Sequence, residues 1–163
     1  MRVLGIDPGT AITGYAIVEE VGSTLRLIAI GTVQTPAKTP LPQRLQTIYT
    51  GLREVIAAHQ PDSAAVEELF FSRNAQTAMV VGHARGVTLL ALVDAGLPIA
   101  EYTPMQVKQA VSGYGGADKH QVQEMVRLLL NLPAPPKPDD AADAAAVAIC
   151  HLHRARMDGL LGG

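Results

Sequence analysis

A chain of 163 residues, 48% of them apolar and 17% charged, is long enough for one domain with a proper core and too apolar to stay disordered. Its formal net charge of −2 gives no global attraction for a polyanion, although binding depends on where charges sit. A single cysteine, Cys150, excludes an internal disulfide and suits a reducing compartment, and with no Trp and two Phe the core must be built from Ala, Val, Leu and Ile.

The opening MRVLGIDPGT is too short, and too soon interrupted by Asp7, for a signal peptide. No stretch reaches the roughly 18 uninterrupted apolar residues of a membrane helix, so a cytoplasmic protein with no membrane partner is expected. Val3 to Ile6 reads as a strand ended by the turn Pro8-Gly9. Gly14 to Glu20 and Leu25 to Gln34 read as two more strands, and the short polar breaks suit antiparallel hairpins. Leu41 to His59 has helical spacing, with Leu45, Ile48, Leu52, Val55 and Ile56 on one stripe. After Pro61, Ala64 to Val66 reads as a short buried strand. A long apolar helix follows from Asn74 to Ala95, stopped by Gly96 and Pro98, and Pro98 to Tyr102 is the next strand.

Thr103-Pro104 supplies an N-cap with proline at the first helical position. Ser112 to Ala117 is a flexible loop, and Asp118 opens a helix that runs to Leu130. A proline-rich connector, Pro133 to Pro138, leads to a last helix from Asp139 to Arg156. One domain over residues 1–158 is expected, with 159–163 a frayed tail. Three strands followed by alternating helices and strands predict an α/β domain with a mixed sheet flanked by helices. Alternation alone does not fix the strand order.

Two carboxylates stand at strand ends. Asp7 follows Val3 to Ile6, and Glu67 follows Ala64 to Val66; the neighbouring Glu68 points to the opposite face of an extended chain. Each has an equally good structural explanation when taken alone, as a turn-bonding Asp or a solvated Glu. The third group is Asp139-Asp140-Ala141-Ala142-Asp143. The macrodipole favours Asp139 and Asp140 in a first helical turn, and Asp139 is a credible N-cap. Asp143 lies among alanines and needs a positive partner, which Lys137 and Arg154 are not placed to supply. Asp7, Glu67, Asp140 and Asp143 together suit hard, oxygen-preferring ions such as Mg²⁺. Two such ions about 4 Å apart can activate water and stabilise a leaving oxygen in phosphoryl transfer. Between Leu69 and Val93 there is no acidic residue, whereas Arg73 and Arg85 are present, which allows a local basic surface.

GIDPGT at 5–10, VEELFF at 66–71, RNAQTAMVVGHARG at 73–86, TPMQVKQAVSGYGGADKHQVQEMV at 103–126 and DDAADAAAVAI at 139–149 together resemble the RuvC family of Holliday junction resolvases. The resemblance implies a ribonuclease H-like fold with a five-stranded sheet. It also implies a homodimeric, Mg²⁺-dependent endonuclease, with Mn²⁺ as a substitute, that nicks two strands of a four-way DNA junction symmetrically. The RuvA–RuvB branch-migration machinery is the implied partner. By motif, Asp7, Glu67, Asp140 and Asp143 would be the metal-binding catalytic carboxylates. The D-x-x-D spacing selects Asp140 and leaves Asp139 as the N-cap candidate. Lys119 would stand near the scissile phosphate, with Lys108, Arg73 and Arg85 as further DNA contacts. Phe70 would stack on unpaired bases at the crossover, worth roughly 1–3 kcal/mol per base.

The 74–95 helix is apolar around much of its circumference, which points to central burial or to a sheet on one face and a partner subunit on another. Leu89 reads as an exposed apolar position on it. His151 and His153 read as exposed, because their spacing points them apart, and Cys150 reads as a small buried residue. The alternatives are an actin-like ATPase or sugar kinase, which needs a second lobe, a YqgF-like nuclease of the same fold, and a junction-binding module without catalysis.

Overall fold

The apolar alternation near the N-terminus becomes a meander of three antiparallel strands, β1 (Arg2–Asp7), β2 (Ile12–Val21) and β3 (Thr24–Gln34), in a computed structural model that describes residues 1–68 and 74–161. Helix α1 (Leu41–His59) leads to β4 (Ser63–Glu67), and α2 (Ala75–Asp94) leads to β5 (Ile99–Tyr102). Three helices follow: α3 (Pro104–Ser112), α4 (Lys119–Leu129) and α5 (Asp139–Leu161). β4 runs parallel to β1 and β5 parallel to β4, which gives one mixed sheet in the order β3-β2-β1-β4-β5.

Strand alternation divides the core into two layers. Val3, Ala16, Val18 and Ala65 face one side of the sheet, where they pack with α3, α4 and α5. Leu4, Ile6, Ile17, Ala64 and Val66 face the other side, under α1 and α2. The α1 stripe buries Ile48 and Leu52 completely, and each such side chain contributes roughly 1.5–3 kcal/mol relative to exposure.

The helix boundaries follow local chemistry. Thr103 and Asp118 each close a capping box with a glutamine three residues on, Gln106 and Gln121. Asp139 does not cap α5, contrary to the sequence reading. The Pro138 carbonyl accepts the first helical bonds, from the Ala141 and Ala142 amides at 3.0 and 3.1 Å, so Asp139 is already helical and its carboxylate is used elsewhere. The helix also continues past Arg156, through the start of the expected tail, to Leu161.

Helix α2 buries only a narrow stripe, Ala84, Thr88, Ala91 and Leu92. Met79, Leu90 and Val93 are 63%, 53% and 61% exposed, whereas Leu89 is partly buried against the core. Among the described residues, α2 alone is long and apolar enough to cross a membrane, yet its stripe is built into the domain and its Arg85 pairs with Glu101 of β5.

Candidate active site

Parallel pairing of β1 with β4 sets the site. The register runs Val3↔Ser63 to Ile6↔Val66, and the next residue of each strand is a carboxylate. Asp7 has the parity of Val3, and Glu67 that of Ala65, so both turn toward the α5 side of the sheet, while Glu68 faces away. The turn after Asp7 is braced from several directions. The Thr13 hydroxyl donates to the Gly9 carbonyl at 2.7 Å, Thr10 donates to the Val80 carbonyl of α2 at 3.2 Å, and Thr35 donates to the Thr10 carbonyl at 2.5 Å.

Helix α5 delivers the remaining acids by lying flush on the sheet. Its first turns carry Ala141, Ala142, Ala144 and Ala145, all buried, because nothing larger fits against the strands. The strands answer with glycines. A methyl group at Gly5 would stand 2.1 Å from the Ala144 carbonyl oxygen, and one at Gly14 would stand 2.0 Å from that of Asp140. Gly14 is the cross-strand partner of Asp7, so the close approach it permits brings the first turn of α5 beside Asp7.

The resulting cluster is short of positive charge. Burial, then repulsion from Glu67, Asp143 and Asp140, pushes the Asp7 carboxyl up to about 8. Burial and Asp143 push Glu67 up to about 7, opposed by a hydrogen bond with Asp7 and by Lys108 and Lys119. Asp143 is raised as well, chiefly by burial. Of the cluster, Asp7 is the most buried, at 8% exposure.

A cleft of about 230 Å³ is lined by the acids Glu67 and Asp143, the lysines Lys108 and Lys119, and the apolar Val107 and Val122. Lys119 Nζ lies 3.2 Å from Asp139 Oδ2 and 3.8 Å from Asp143 Oδ2. The positive partner that Asp143 requires thus comes from α4, a contact between elements that spacing along the chain does not reveal. A larger groove of about 650 Å³, between β3 and α1, includes Tyr15, Thr47 and Glu54 and holds none of these groups.

Among the described residues, no three His, Cys, Asp or Glu side chains stand posed around a metal ion. The donor set fits one nevertheless: crowded, partly protonated carboxylates, with oxygen donors only, are what a hard divalent cation would ionise and gather.

Arg85, an expected DNA contact, donates to the Glu67 carbonyl at 3.2 Å and pairs with Glu101. A guanidinium so engaged ties the end of β4 to α2 and β5. Phe70 and Arg73 lie outside the described residues. His151 is half-buried rather than exposed, bonded to the Ser63 hydroxyl at 3.2 Å and to the Tyr102 hydroxyl at 2.8 Å, and His153 meets the Ala110 carbonyl at 3.1 Å. Helix α5 lies between the sheet and α3, which leaves both histidines only partly exposed. Cys150 is buried, as expected.

A mixed five-stranded sheet with carboxylates at two adjacent strand ends and on the helix crossing them defines a nuclease of ribonuclease H-like fold. The family model described as "Crossover junction endodeoxyribonuclease RuvC" matches residues 3–151. A protein of that description from Chloroflexus aggregans is 61% identical over 155 residues, 95% of this chain and 94% of its own length. Its counterpart from Desulforamulus reducens is 55% identical over 163 residues, covering 100% and 98%. Among solved structures, RuvC of T. thermophilus in complex with Holliday junction substrate superposes with a TM-score of 0.92 at 42% identity, covering 96% of both chains. The chain belongs to the RuvC family of crossover junction endodeoxyribonucleases. It is a hydrolase acting on DNA in recombination and repair.

Proposed function

We propose that this chain is a cytoplasmic homodimer that resolves four-way DNA junctions by paired symmetric nicks. In this reading Asp7, Glu67, Asp140 and Asp143 hold two Mg²⁺ ions, Mn²⁺ substituting, and the RuvA–RuvB machinery is the partner. The observation that carries the reading is the cluster itself: two strand-end carboxylates pushed up to about 8 and about 7 beside acids of α5, open to a cleft with two lysines.

Bound Mg²⁺ would supply an activated water and stabilise the leaving oxygen of the phosphodiester. The protein's own groups do the rest. Asp7 and Glu67, fixed by the β1–β4 register, present oxygens from the floor, and Asp140 and Asp143 present theirs from the helix above. Lys108 and Lys119, at the mouth of the cleft, receive the phosphate backbone. Phe70 and Arg73 come within the six residues after Glu67 in the chain, and the family motif assigns them to the DNA. A single chain offers one such site, and two symmetric cuts need two. The exposed apolar side chains of α2, Met79, Leu90 and Val93, support an isologous pairing that would supply the second.

The test is cleavage of a synthetic four-way junction against a linear duplex, with Mg²⁺ or with a chelator. The expected result is paired nicks in the junction with Mg²⁺ alone. Equal cutting of both substrates, or cutting in chelator, contradicts the proposal.

A further inference from the structure

Asp139 is the acid of α5 that the site leaves over, and its surroundings assign it a task. Both of its oxygens are taken by side chains of α4: Oδ2 by Lys119 Nζ at 3.2 Å, and Oδ1 by Gln123 Nε2 at 3.1 Å. Lys119 and Gln123 are four residues apart, one turn along the same helical face. Asp118, the residue before Lys119, caps that helix, so the backbone beneath the lysine is itself fixed.

The contact is a poor candidate for holding the fold. Asp139 and Lys119 are 65% and 56% exposed, and exposed ion pairs contribute little to stability. Its consequence is geometric. Lys119 Nζ also stands 3.8 Å from Asp143, a carboxylate of the catalytic cluster. Without Asp139, the ammonium would settle on Asp143 alone, or swing into solvent on its flexible stem. With Asp139 it is shared, kept at the mouth of the cleft without neutralising Asp143 outright.

We propose that Asp139, braced by Gln123, is a positioning residue that holds the Lys119 ammonium at the mouth of the cleft between Glu67 and Asp143, where a DNA phosphate enters. The proposal rests on the reading of Lys119 as a phosphate-contacting group of the active site.

Simple electrostatics and positioning predict opposite outcomes, which makes the test sharp. Removing a negative charge beside the DNA path should tighten binding and, at limiting enzyme, speed cutting. Loss of positioning should slow cutting even when all DNA is bound. The measurement is single-turnover cleavage of a four-way junction with Mg²⁺ at saturating protein, alongside junction affinity measured in chelator. Asp139→Asn should cut roughly 10–100-fold more slowly, the scale seen when a group orienting an active-site side chain is lost, with affinity equal or tighter. Asp139→Glu should recover most of the rate. Lys119→Met should also cut slowly, and adding Asp139→Asn to it should change nothing further.

If Asp139→Asn cuts at the wild-type rate while Lys119→Met is slow, the positioning role falls and the reading of Lys119 survives. Should Lys119→Met itself cut normally, that reading and the proposal fall together. If Asp139→Asn slows the Lys119→Met protein as much as it slows the wild type, Asp139 does not act through Lys119, and the proposal is overturned.

Discussion

Gly14 offers the most direct way to separate the geometry of the site from its chemistry, because it carries no reactive group. A methyl group there would sit 2.0 Å from the Asp140 carbonyl oxygen, 2.3 Å from its carbonyl carbon and 2.9 Å from the Ala141 nitrogen. All three are backbone atoms of the first turn of α5 and cannot rotate away. Restoring van der Waals distance therefore moves that turn by about 1 Å or more. Overpacking of this kind costs about 1–3 kcal/mol, which a domain with two well-filled layers should survive. The same displacement carries Asp140 and Asp143 away from Asp7, and a misplacement of about 1 Å costs on the order of 100-fold in rate. Gly14→Ala should therefore bind a four-way junction within a few-fold of wild type, melt modestly lower, and cut about 100-fold more slowly at saturating Mg²⁺. Gly159→Ala, in the same helix but facing open space, is the control and should cut normally. A folded Gly14→Ala protein that cuts at the wild-type rate would refute the claim that close approach of α5 assembles the site.

Other outcomes follow from the charges and the exposed surface. In the metal-free protein, Asp7 and Glu67 keep their protons to about 8 and about 7, while the unfolded chain releases them near 3.8 and 4.5. The folded state thus holds more protons across that window, and its stability should fall as pH rises from the unfolded values through the folded ones. Urea denaturation in chelator at pH 5 and pH 8 should show that loss, and Asp7→Asn should reduce it; a wild-type protein no more pH-sensitive than Asp7→Asn would contradict the charge crowding. Mg²⁺ should stabilise the protein more at pH 8 than at pH 6, because binding has to displace those protons; thermal melts with and without Mg²⁺ check this. Leu90→Asp, at a position 53% exposed on α2, should sediment as a monomer and lose coordinated double nicking before it loses Mg²⁺ binding. A wild-type protein that is monomeric at micromolar concentration and still makes paired nicks would end the dimer reading.

The sequence made the two strand-end carboxylates legible because an acid ending a short apolar run has few interpretations, and β1 and β4 each carry one. Their shared face follows from strand parity only once the parallel β1–β4 register is known. The order β3-β2-β1-β4-β5 was not legible, since local patterning does not record which strand a crossover returns to. Nor was the partner of Asp143: Lys137 and Arg154 are the bases nearest in the chain, whereas Lys119 arrives from a helix packed alongside. Gly5 and Gly14 did leave a signal, because glycine inside a strand marks a close backbone approach. The partly buried positions of the histidines were not legible, because helical spacing does not show that Ser63, Tyr102 and the Ala110 carbonyl pack against that part of α5. Leu89 was likewise one residue from the exposed Leu90, a distinction that helical phase alone could not make while the buried stripe of α2 was unknown.

The central claim is that buried, crowded carboxylates anchored on Asp7 perform the cutting. Asp7→Asn tests it most directly, since the amide matches the shape of the carboxyl while removing its capacity for charge and replacing one acceptor oxygen with an NH₂ donor. Binding and Mg²⁺-dependent cleavage of one four-way junction should be measured together for wild type and variant. The account predicts that Asp7→Asn binds the junction as well as wild type and makes no nicks. Nicking by the variant at the wild-type rate would contradict it.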